Sequence, residues 1–361
     1  MRKAAEYIVF TLTASVLCTA LLLHTPATTT LRPEEPTQTA YARLLFAGDI
    51  MCHYPQINAA ARLSEYRGFD FIPSFEYVKP YFERADAVIA NFETVVSPDN
   101  RFAGYPAFSS PKQLAEAIKQ AGIDIAVTAN NHCCDRGRGG IKATARTFDS
   151  LGILRTGSFP DEEDYSAHRI VRFELNGINF ALMSYTYGTN GLPVPDGCRV
   201  NLIDTVAMAR DLLDAADADC RIVFMHWGEE YQRRMNARQR RLKEFLQRHG
   251  AEIVIGSHPH VIQEVETDSN RIFAASLGNF VSNQRKRFSD GGLMAEIEVG
   301  KHFDGECRFS ARFTPVWVAL PDYRILPREV ADTLPLSSAD RIKYEQFISD
   351  TDSLLSNCKI L

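Results

Sequence analysis

The sequence of 361 residues lacks the features that mark several common classes of protein. It has no basic excess, because 40 Lys and Arg stand against 45 Asp and Glu and the formal net charge is -5. Nucleic-acid-binding proteins usually carry a basic stripe, so we expect no nucleic-acid partner. The sequence also contains no Gly-x-Ser-x-Gly motif, which argues against a serine hydrolase built on a nucleophile elbow.

The eight cysteines contain no Cys-x-x-Cys pair. This spacing indicates neither a zinc ribbon nor a thioredoxin-type site. Cys133 and Cys134 are adjacent and the other cysteines are scattered, so the sequence leaves disulfide pairing open. The composition, with 45% hydrophobic and 24% charged residues, is that of an ordinary folded protein.

The N-terminal segment differs from everything that follows. Arg2 and Lys3 precede an apolar run over residues 7–23, and a stretch rich in Pro, Thr and Glu follows. This order is typical of a signal peptide or an N-terminal membrane anchor, which we assign to residues 1–24, with a polar linker over 25–41. We therefore expect the remaining chain to be extracytoplasmic, either membrane-anchored or secreted or periplasmic.

Predicted strands and helices alternate along the rest of the chain. Strands are predicted at 43–47, 86–90, 123–128, 169–175, 178–184, 221–225, 252–255 and 271–275. Helices are predicted at 111–121, 141–151, 206–216 and 237–249. Asn176-Gly177 predicts a hairpin, and the pattern turns to β over 291–318. This alternation predicts an α/β fold with one domain over 42–325 and a helical tail over 326–361.

Side chains that can bind metals or move protons follow the predicted strand ends. They are Asp49, Glu93, Asn131, His132, His226, His258 and His260. In α/β sheets this edge is where sites are usually built. The mixture of oxygen and nitrogen donors suits Mn, Fe or Zn better than Ca, and a shared carboxylate could bridge two ions.

Each of these residues also has an ordinary structural explanation when it is considered alone. Asp49 could cap a helix, Glu93 could be a surface acid, and Asn130-Asn131 could form a turn. His226 could be a buried imidazole with satisfied hydrogen bonds. His258-Pro259-His260 is harder to explain in this way, because the proline stiffens the loop that carries both rings. Their joint order along the chain favours one site.

The sequence around these residues resembles the CapA family, the proteins of poly-γ-glutamate capsule synthesis within the calcineurin-like metallophosphatase group. The matching blocks are Phe46–Met51, Asn91–Glu93, Ala129–His132 with Asp135, His226–Tyr231, Gly256–Val261 and Ser276–Phe280. They appear in family order and span about two thirds of the chain. The resemblance implies a four-layer α/β/β/α sandwich.

The resemblance also implies one or two divalent ions, with Mn, Fe or Zn favoured. The implied metal ligands are Asp49, Glu93, Asn131, His226, His258 and His260. The wider group usually has a histidine two positions after the first Asp, where this chain has Met51. His53 lies four positions after that Asp and points in a different direction from a residue two positions on. The first metal site is therefore expected to be short of ligands.

Catalytic and substrate-binding residues are implied in the same way. His132 would lie over the leaving-group oxygen and Asp135 would orient it, while Asn279 and Arg285 would hold substrate. The implied function is a capsule-synthesis protein with a phosphoesterase-like hydrolase site, acting on or during assembly of a cell-envelope polymer. The alternative is a non-catalytic, membrane-anchored factor that assists assembly or export of the capsular polymer. Expected partners are an anionic envelope polymer or phosphoester, the membrane through the N-terminal segment, and other capsule-synthesis proteins.

Overall fold

The structure is a computed structural model that describes residues 38–360. Its strands are β1 (Gln38–Ile50), β2 (Ala87–Phe92), β3 (Ile125–Val127), β4 (Leu154–Thr156), β5 (Ser158–Phe159), β6 (Val171–Leu175), β7 (Ile178–Thr186), β8 (Arg199–Val200), β9 (Cys220–His226), β10 (Ile253–Ser257), β11 (Val265–Asp268), β12 (Arg271–Ala274), β13 (Asn279–Val281), β14 (Gly291–His302), β15 (Cys307–Ala319) and β16 (Arg324–Pro327). Its helices are α1 (Tyr54–Leu63), α2 (Ile72–Phe75), α3 (Lys79–Phe82), α4 (Lys112–Ala121), α5 (Gly137–Leu151), α6 (Glu162–His168), α7 (Thr205–Asp214), α8 (Ala237–Arg248), α9 (Arg328–Thr333) and α10 (Ser338–Leu355).

The predicted N-terminal segment, residues 1–24, lies outside the described residues, and so does most of the linker predicted over 25–41. The last four linker positions belong to β1. Within residues 38–360, none of the helices combines the length and the apolar composition that crossing a membrane requires. The seven cysteines in this range are free thiols.

Two large sheets confirm the mixed α/β fold. The first has the strand order β16-β15-β14-β1-β2-β3-β4, with β13 beside β1, and the second has the order β11-β12-β10-β9-β7-β6. In the first sheet β1, β2 and β3 are parallel neighbours, and in the second β9 lies parallel to both β7 and β10. Parallel neighbours end at the same sheet edge, so the residues that follow them are brought together.

Local sequence explains where several elements begin and end. α4 buries one face that includes Leu114 and Ile118, and it ends at Gly122, whose φ of 115° a side chain would resist. The predicted hairpin forms between β6 and β7, where Asn176 and Gly177 both have positive φ values. The end of the helix and the hairpin predicted from the sequence are therefore present in the structure.

Three hydrophobic clusters show how the layers are arranged. The largest combines residues of both sheets, such as Phe46 and Phe224, and so fills the space between them. A second cluster packs α1, α4 and α5 on the first sheet, with Phe148 at its centre. A third packs α7 and α8 on the second sheet through Leu212 and Leu246. This arrangement is compatible with the four-layer α/β/β/α sandwich.

The C-terminal helix α10 contributes to the cluster between the sheets. Tyr344, Phe347 and Ile348 are buried there, and the Tyr344 ring lies 5.9 Å from that of Trp317. Residues 326 and 327 of the predicted tail complete β16. The tail is thus packed into the body of the fold.

Candidate metal centre

The candidate metal centre lies where the ends of the two sheets meet. Asp49 is near the end of β1, and Glu93 directly follows β2. His226 is the last residue of β9, and His258 directly follows β10. All four are at most 4% exposed, so the surface-acid interpretation of Glu93 is wrong. Asp49 lies within a strand, so the helix-cap interpretation is wrong as well.

A close backbone approach holds Asp49 in place. The Asp49 amide donates to the carbonyl of Gly278 over 3.0 Å. Gly48 is needed at this crossing, because a Cβ there would lie 2.0 Å from the same carbonyl oxygen. The Asp49 carboxylate accepts a hydrogen bond from Asn91 Nδ2 at 2.7 Å, and its other oxygen lies 3.2 Å from His260 Nδ1.

Glu93 is the central side chain of the cluster. It is fully buried, yet neither carboxylate oxygen has a hydrogen-bond partner among the described residues. Its Oε1 lies 3.6 Å from His226 Nε2 and 3.8 Å from His260 Nε2. Burial, followed by the neighbouring charge of Asp49, raises the pKa of Glu93 well above its ordinary value. Within residues 38–360, this buried carboxylate therefore lacks a nearby cation that would balance its negative charge.

The second group of ligands surrounds His226. Its Nε2 lies 2.8 Å from Asn131 Oδ1, and its ring lies 4.8 Å from that of His258. Burial lowers the pKa of His226 well below its ordinary value and that of His258 to about 3. Both imidazoles are therefore neutral at physiological pH, which is the form that binds metal ions.

The loop that carries His258 and His260 has an unusual backbone. Both histidines have positive φ values, 94° and 56°. Residues other than glycine rarely adopt positive φ values, and such strained backbone is concentrated at functional sites. His258 Nδ1 is buried without a hydrogen-bond partner among the described residues. The strained loop thus presents two imidazoles, one with an unused buried nitrogen.

These residues fit divalent metal ions. Glu93, His226 and His258 offer ligand atoms that lie within 4.8 Å of one another, and so do Asp49, Glu93 and His260. Glu93 belongs to both groups, and its oxygens, which have no hydrogen-bond partner in the described part of the chain, can supply lone pairs to a metal cation. A third group joins the exposed Glu230 to the two loop histidines. The donor set of carboxylate, amide oxygen and imidazole suits Mn, Fe or Zn.

His132 lies beside this cluster and is 3% exposed. Its Nδ1 lies 2.8 Å from Asp135 Oδ2, which also accepts a hydrogen bond from the Phe108 amide at 2.6 Å. The Phe108 ring contacts the His132 ring edge-on, with the centroids 4.6 Å apart. Asn130 Oδ1 accepts the His132 amide, so the turn predicted for Asn130 exists alongside the contact between Asn131 and His226.

Comparison with known proteins identifies the family. The family model described as bacterial capsule synthesis protein PGA_cap matches residues 43–284. The chain belongs to this family. The capsule biosynthesis protein CapA of Bacillus anthracis is 30% identical over 230 residues, which are 60% of this chain and 55% of that protein. The PGA biosynthesis protein CapA of Bacillus subtilis strain 168 is 29% identical over 277 residues, which are 72% of this chain and 68% of that protein.

The chain thus spans about half to two thirds of the length of these curated relatives. Among solved structures, a phosphatase from Mycoplasma pneumoniae is similar over 79% of this chain and 96% of that one. Its sequence identity is 15% and its TM-score is 0.49.

In this PGA_cap protein, His53 does not replace the histidine that Met51 displaces. Its Nδ1 lies 3.2 Å from Gln56 Oε1 and accepts the Asn283 amide at 3.3 Å. His53 belongs to none of the candidate metal groups found among the described residues. Burial lowers its pKa to about 4. Among the His, Cys, Asp and Glu side chains of residues 38–360, the first metal group therefore comprises Asp49, Glu93 and His260.

The two predicted substrate residues occupy different positions. Asn279 is fully buried, and its Oδ1 lies 3.1 Å from His260 Nδ1. Arg285 is exposed, donates to the Val318 carbonyl at 2.9 Å and has the Tyr323 ring 5.8 Å away. Asn279 thus contacts a candidate ligand, whereas Arg285 lies on the surface beyond it.

Sequence reasoning missed three side chains that hold the ligands. Asn91 supports Asp49, and Ser257 places its Oγ 2.9 Å from His226 Nδ1. The Tyr187 ring lies 4.5 Å from the His258 ring and is nearly parallel to the His226 ring at 6.3 Å. The positions of Asn91 and Ser257 at strand ends were the available signal; nothing local marked Tyr187.

Proposed function

We propose that this PGA_cap protein is a metal-dependent hydrolase that acts on a phosphoester, or on a polymer bond, during assembly of a cell-envelope polymer. The observation that carries the proposal is Glu93, a fully buried carboxylate without a partner that belongs to two ligand groups. One or two divalent ions would be held there, with Asn131 completing the His226 and His258 group. A bound divalent ion would lower the pKa of a water ligand and stabilise developing negative charge.

The protein's own residues would manage the proton and the position of the substrate. Asp135 engages Nδ1 of His132, which fixes the ring and leaves Nε2 as the nitrogen that can protonate a leaving oxygen. The edge-on contact with Phe108 restricts the same ring. Asn279, bonded to His260, would orient the substrate side of the first metal group, and Arg285 would contact a more distant anionic group.

The cellular setting is part of the same proposal. A basic and then apolar N-terminal segment supports an extracytoplasmic position, either membrane-anchored or secreted. The substrate would be an anionic envelope polymer or a phosphoester, and other capsule-synthesis proteins would be partners. The names of the Bacillus relatives support this class of polymer.

The test is hydrolysis by the purified protein loaded with Mn, Fe or Zn, measured on a panel of phosphoesters and γ-glutamyl polymers. His132→Ala should retain the metal and lower kcat by about 100-fold or more, since general acids usually contribute that much. His249→Ala removes a histidine on the exposed end of α8 and is the control. Hydrolysis that is equal in wild type and His132→Ala would contradict the proposed role of His132.

A non-catalytic role is the second candidate, and the thin first metal group favours it. Met51 stands where a further histidine ligand would be expected, and His53 is bonded elsewhere. Tight binding of one ion per chain with no turnover on any substrate would support a metal-dependent assembly or export factor. Loss of polymer production in cells that carry His132→Ala would argue against that role.

A further inference from the structure

A loop with three consecutive basic residues is attached to the edge of the metal centre. This basic loop comprises residues 284–289. Asn279 Nδ2 donates to Gln284 Oε1 at 3.1 Å and to the Ser289 carbonyl at 2.7 Å. The Asn279 Oδ1 lies 3.1 Å from His260 Nδ1. Both ends of the basic loop are therefore fixed by one side chain that contacts a candidate metal ligand.

The C-terminal helix α10 fixes the middle of the basic loop. Arg287 donates to both carboxylate oxygens of Asp350, at 3.0 and 2.8 Å, and Arg233 donates to the Asp350 carbonyl at 2.8 Å. The Phe288 ring lies 4.4 Å from the Arg233 guanidinium and 4.8 Å from that of Arg287. α10 lies beyond the residues that the family model matches, so this support belongs to the chain's own C-terminal segment.

A cavity of about 210 Å³ lies between the basic loop and α10. Its charged lining residues are Arg285, Lys286, Arg287, Lys343, Asp290 and Asp350. Arg287 binds Asp350, the Trp317 indole donates to Asp290 at 2.9 Å, and the four basic side chains outnumber these two acids. Within residues 38–360, Lys286 and Lys343 have no carboxylate within salt-bridge distance. The cavity therefore has an excess of positive charge and two ammonium groups available to a ligand.

Tyr231 contacts both Lys286, which lines the cavity, and the loop that carries the histidines of the metal centre. Lys286 Nζ lies 3.8 Å from the centre of the Tyr231 ring. The Tyr231 amide donates to the Pro259 carbonyl at 2.8 Å, and its ring lies 6.2 Å from the His260 ring. A ligand that reached from the metal cluster along Tyr231 would therefore meet Lys286 next.

We propose that this cavity binds an oxyanion, either a carboxylate or a phosphate, on the part of the polymer that lies beyond the reacting bond. Lys286 and Lys343 would bind it through charge-assisted hydrogen bonds. The basic loop would hold Lys286 at a fixed distance from the metal centre. This subsite rests on the proposed function for its substrate, but its binding can be measured without turnover.

The test is binding of fluorescently labelled polyglutamate, and separately of polyphosphate, to the full metal-free protein, followed by fluorescence anisotropy. The variant Lys286→Glu, Lys343→Glu should weaken binding by about tenfold or more, because it reverses two charges that would contact the ligand. Arg84→Glu, Arg312→Glu is the control, since both residues are exposed and line a separate cavity with Arg43, Glu296 and Glu298. Arg84 also lies over an aromatic ring, that of Tyr81, as Lys286 lies over Tyr231.

The control should stay within about twofold of wild type, since its net charge changes equally but away from the site. Equal weakening in both variants would assign the effect to overall charge and would overturn the proposal. No weakening in either variant would overturn it as well. Selective loss with polyglutamate would identify a carboxylate site, and selective loss with polyphosphate would identify a phosphate site.

The same measurement separates this proposal from the proposed hydrolysis. Polymer binding is measured on the metal-free protein, so it depends neither on bound metal nor on turnover. A wild-type protein that binds polymer through Lys286 and Lys343 but hydrolyses nothing would exclude the hydrolase and retain the subsite. A hydrolase whose KM is unchanged in the double lysine variant would exclude the subsite and retain the hydrolase.

Discussion

Two groups of buried polar side chains in this protein are built in opposite ways. In the first, the ligand cluster around Glu93, both carboxylate oxygens of that residue lack hydrogen-bond partners among the described residues. In the second, the arginine network, Arg155 is 2% exposed and donates to Asp149 at 2.9 and 3.1 Å and to Asp164 at 2.8 and 2.6 Å. The Glu93 carboxylate accepts no hydrogen bond from these residues, whereas the Arg155 guanidinium donates four.

The difference distinguishes the candidate metal site from a group of residues that supports the fold. Arg155 on β4 connects α5 and α6, because four of its five N–H donors bind the carboxylates of Asp149 and Asp164. Glu93 is next to another carboxylate and among neutral imidazoles, an arrangement that costs stability until a cation is present. In this protein the buried carboxylate without a partner belongs to the candidate metal site, and the buried guanidinium with several partners belongs to the supporting fold.

The largest expected effect is the loss of metal from the ligand cluster. His258→Ala, His260→Ala removes one imidazole from each ligand group and should weaken metal binding by more than about 100-fold, beyond what loss of an outer-shell partner usually causes. Elemental analysis of the purified protein measures it. His249→Ala, His302→Ala, which removes two histidines outside both groups, should keep the wild-type metal content. Metal retained by the first variant would show that the ion binds elsewhere.

The arginine network should respond in stability alone. Arg155→Ala removes a buried guanidinium from two carboxylates, one of them about half exposed, and should lower the free energy of unfolding by about 1.5–3 kcal/mol, the usual range for hydrogen bonds to charged groups. Arg101→Ala is the matched control, because the Arg101–Asp99 pair is largely exposed and should contribute about 0–1 kcal/mol. Chemical denaturation measures both, and metal content should not change. Equal effects would remove the distinction between the two kinds of pairing.

A smaller effect with the opposite sign is expected for Glu93→Gln without metal. The pKa of Glu93 is raised in the folded chain, so folding favours its protonated form. The stability gained from that form is fully present below the ordinary carboxyl pKa of 4.5 and is lost as the pH rises towards the raised value. Removing the charge should therefore stabilise the metal-free protein at pH 8 by about 1–3 kcal/mol and have little effect at pH 4.

Thermal unfolding of metal-free wild type and Glu93→Gln across this pH range tests the sign. The lowered pKa values of His226 and His258 also make stability depend on pH, but both proteins share them, so the difference between the proteins isolates Glu93. With metal bound, the order should reverse because the variant loses a shared ligand. A variant less stable than wild type at pH 8 without metal would contradict the view that Glu93 lacks a compensating partner.

The sequence predicted the positions of the ligands better than it predicted their supports. Strand periodicity placed the ends of β1, β2, β9 and β10 only a few residues before their observed positions, and parallel pairing then brought the residues near these ends together. The sequence of one strand does not show which side chains of a neighbouring strand it will contact. Asn91 and Ser257 therefore belonged to matching blocks without a role of their own, until the structure placed β1 beside β2 and β9 beside β10.

The possible helix cap at Asp49 was wrong, and the contact of Tyr187 was missed, for a related reason. Asp49 followed an apparent strand end and could have capped a helix, but β1 continues through Ile50 because β13 pairs alongside it. Tyr187 follows β7, and no spacing in the sequence connects it with His226 or His258. Its ring reaches them only because β7 and β9 are parallel neighbours whose ends coincide.

The smallest effect on metal affinity is expected for Ser257, because its hydroxyl contacts a ligand but does not itself bind metal. Its Oγ lies 2.9 Å from His226 Nδ1 and fixes the ring whose Nε2 faces Asn131 and Glu93. Ser257→Ala should weaken metal binding by about tenfold, the lower end of the effect of an outer-shell partner.

The matched control is Ser184→Ala, which removes a hydroxyl that is equally buried but has no hydrogen-bond partner among the described residues. Its metal affinity should equal that of wild type, because no ligand depends on it. Competition with a chelator of known affinity measures both variants. Ser257→Thr keeps a hydroxyl and should recover part of the lost affinity, which a general loss of packing would not allow. If Ser257→Ala bound metal as tightly as Ser184→Ala, the orientation of His226 would have to come from the Tyr187 ring and the β9 backbone instead.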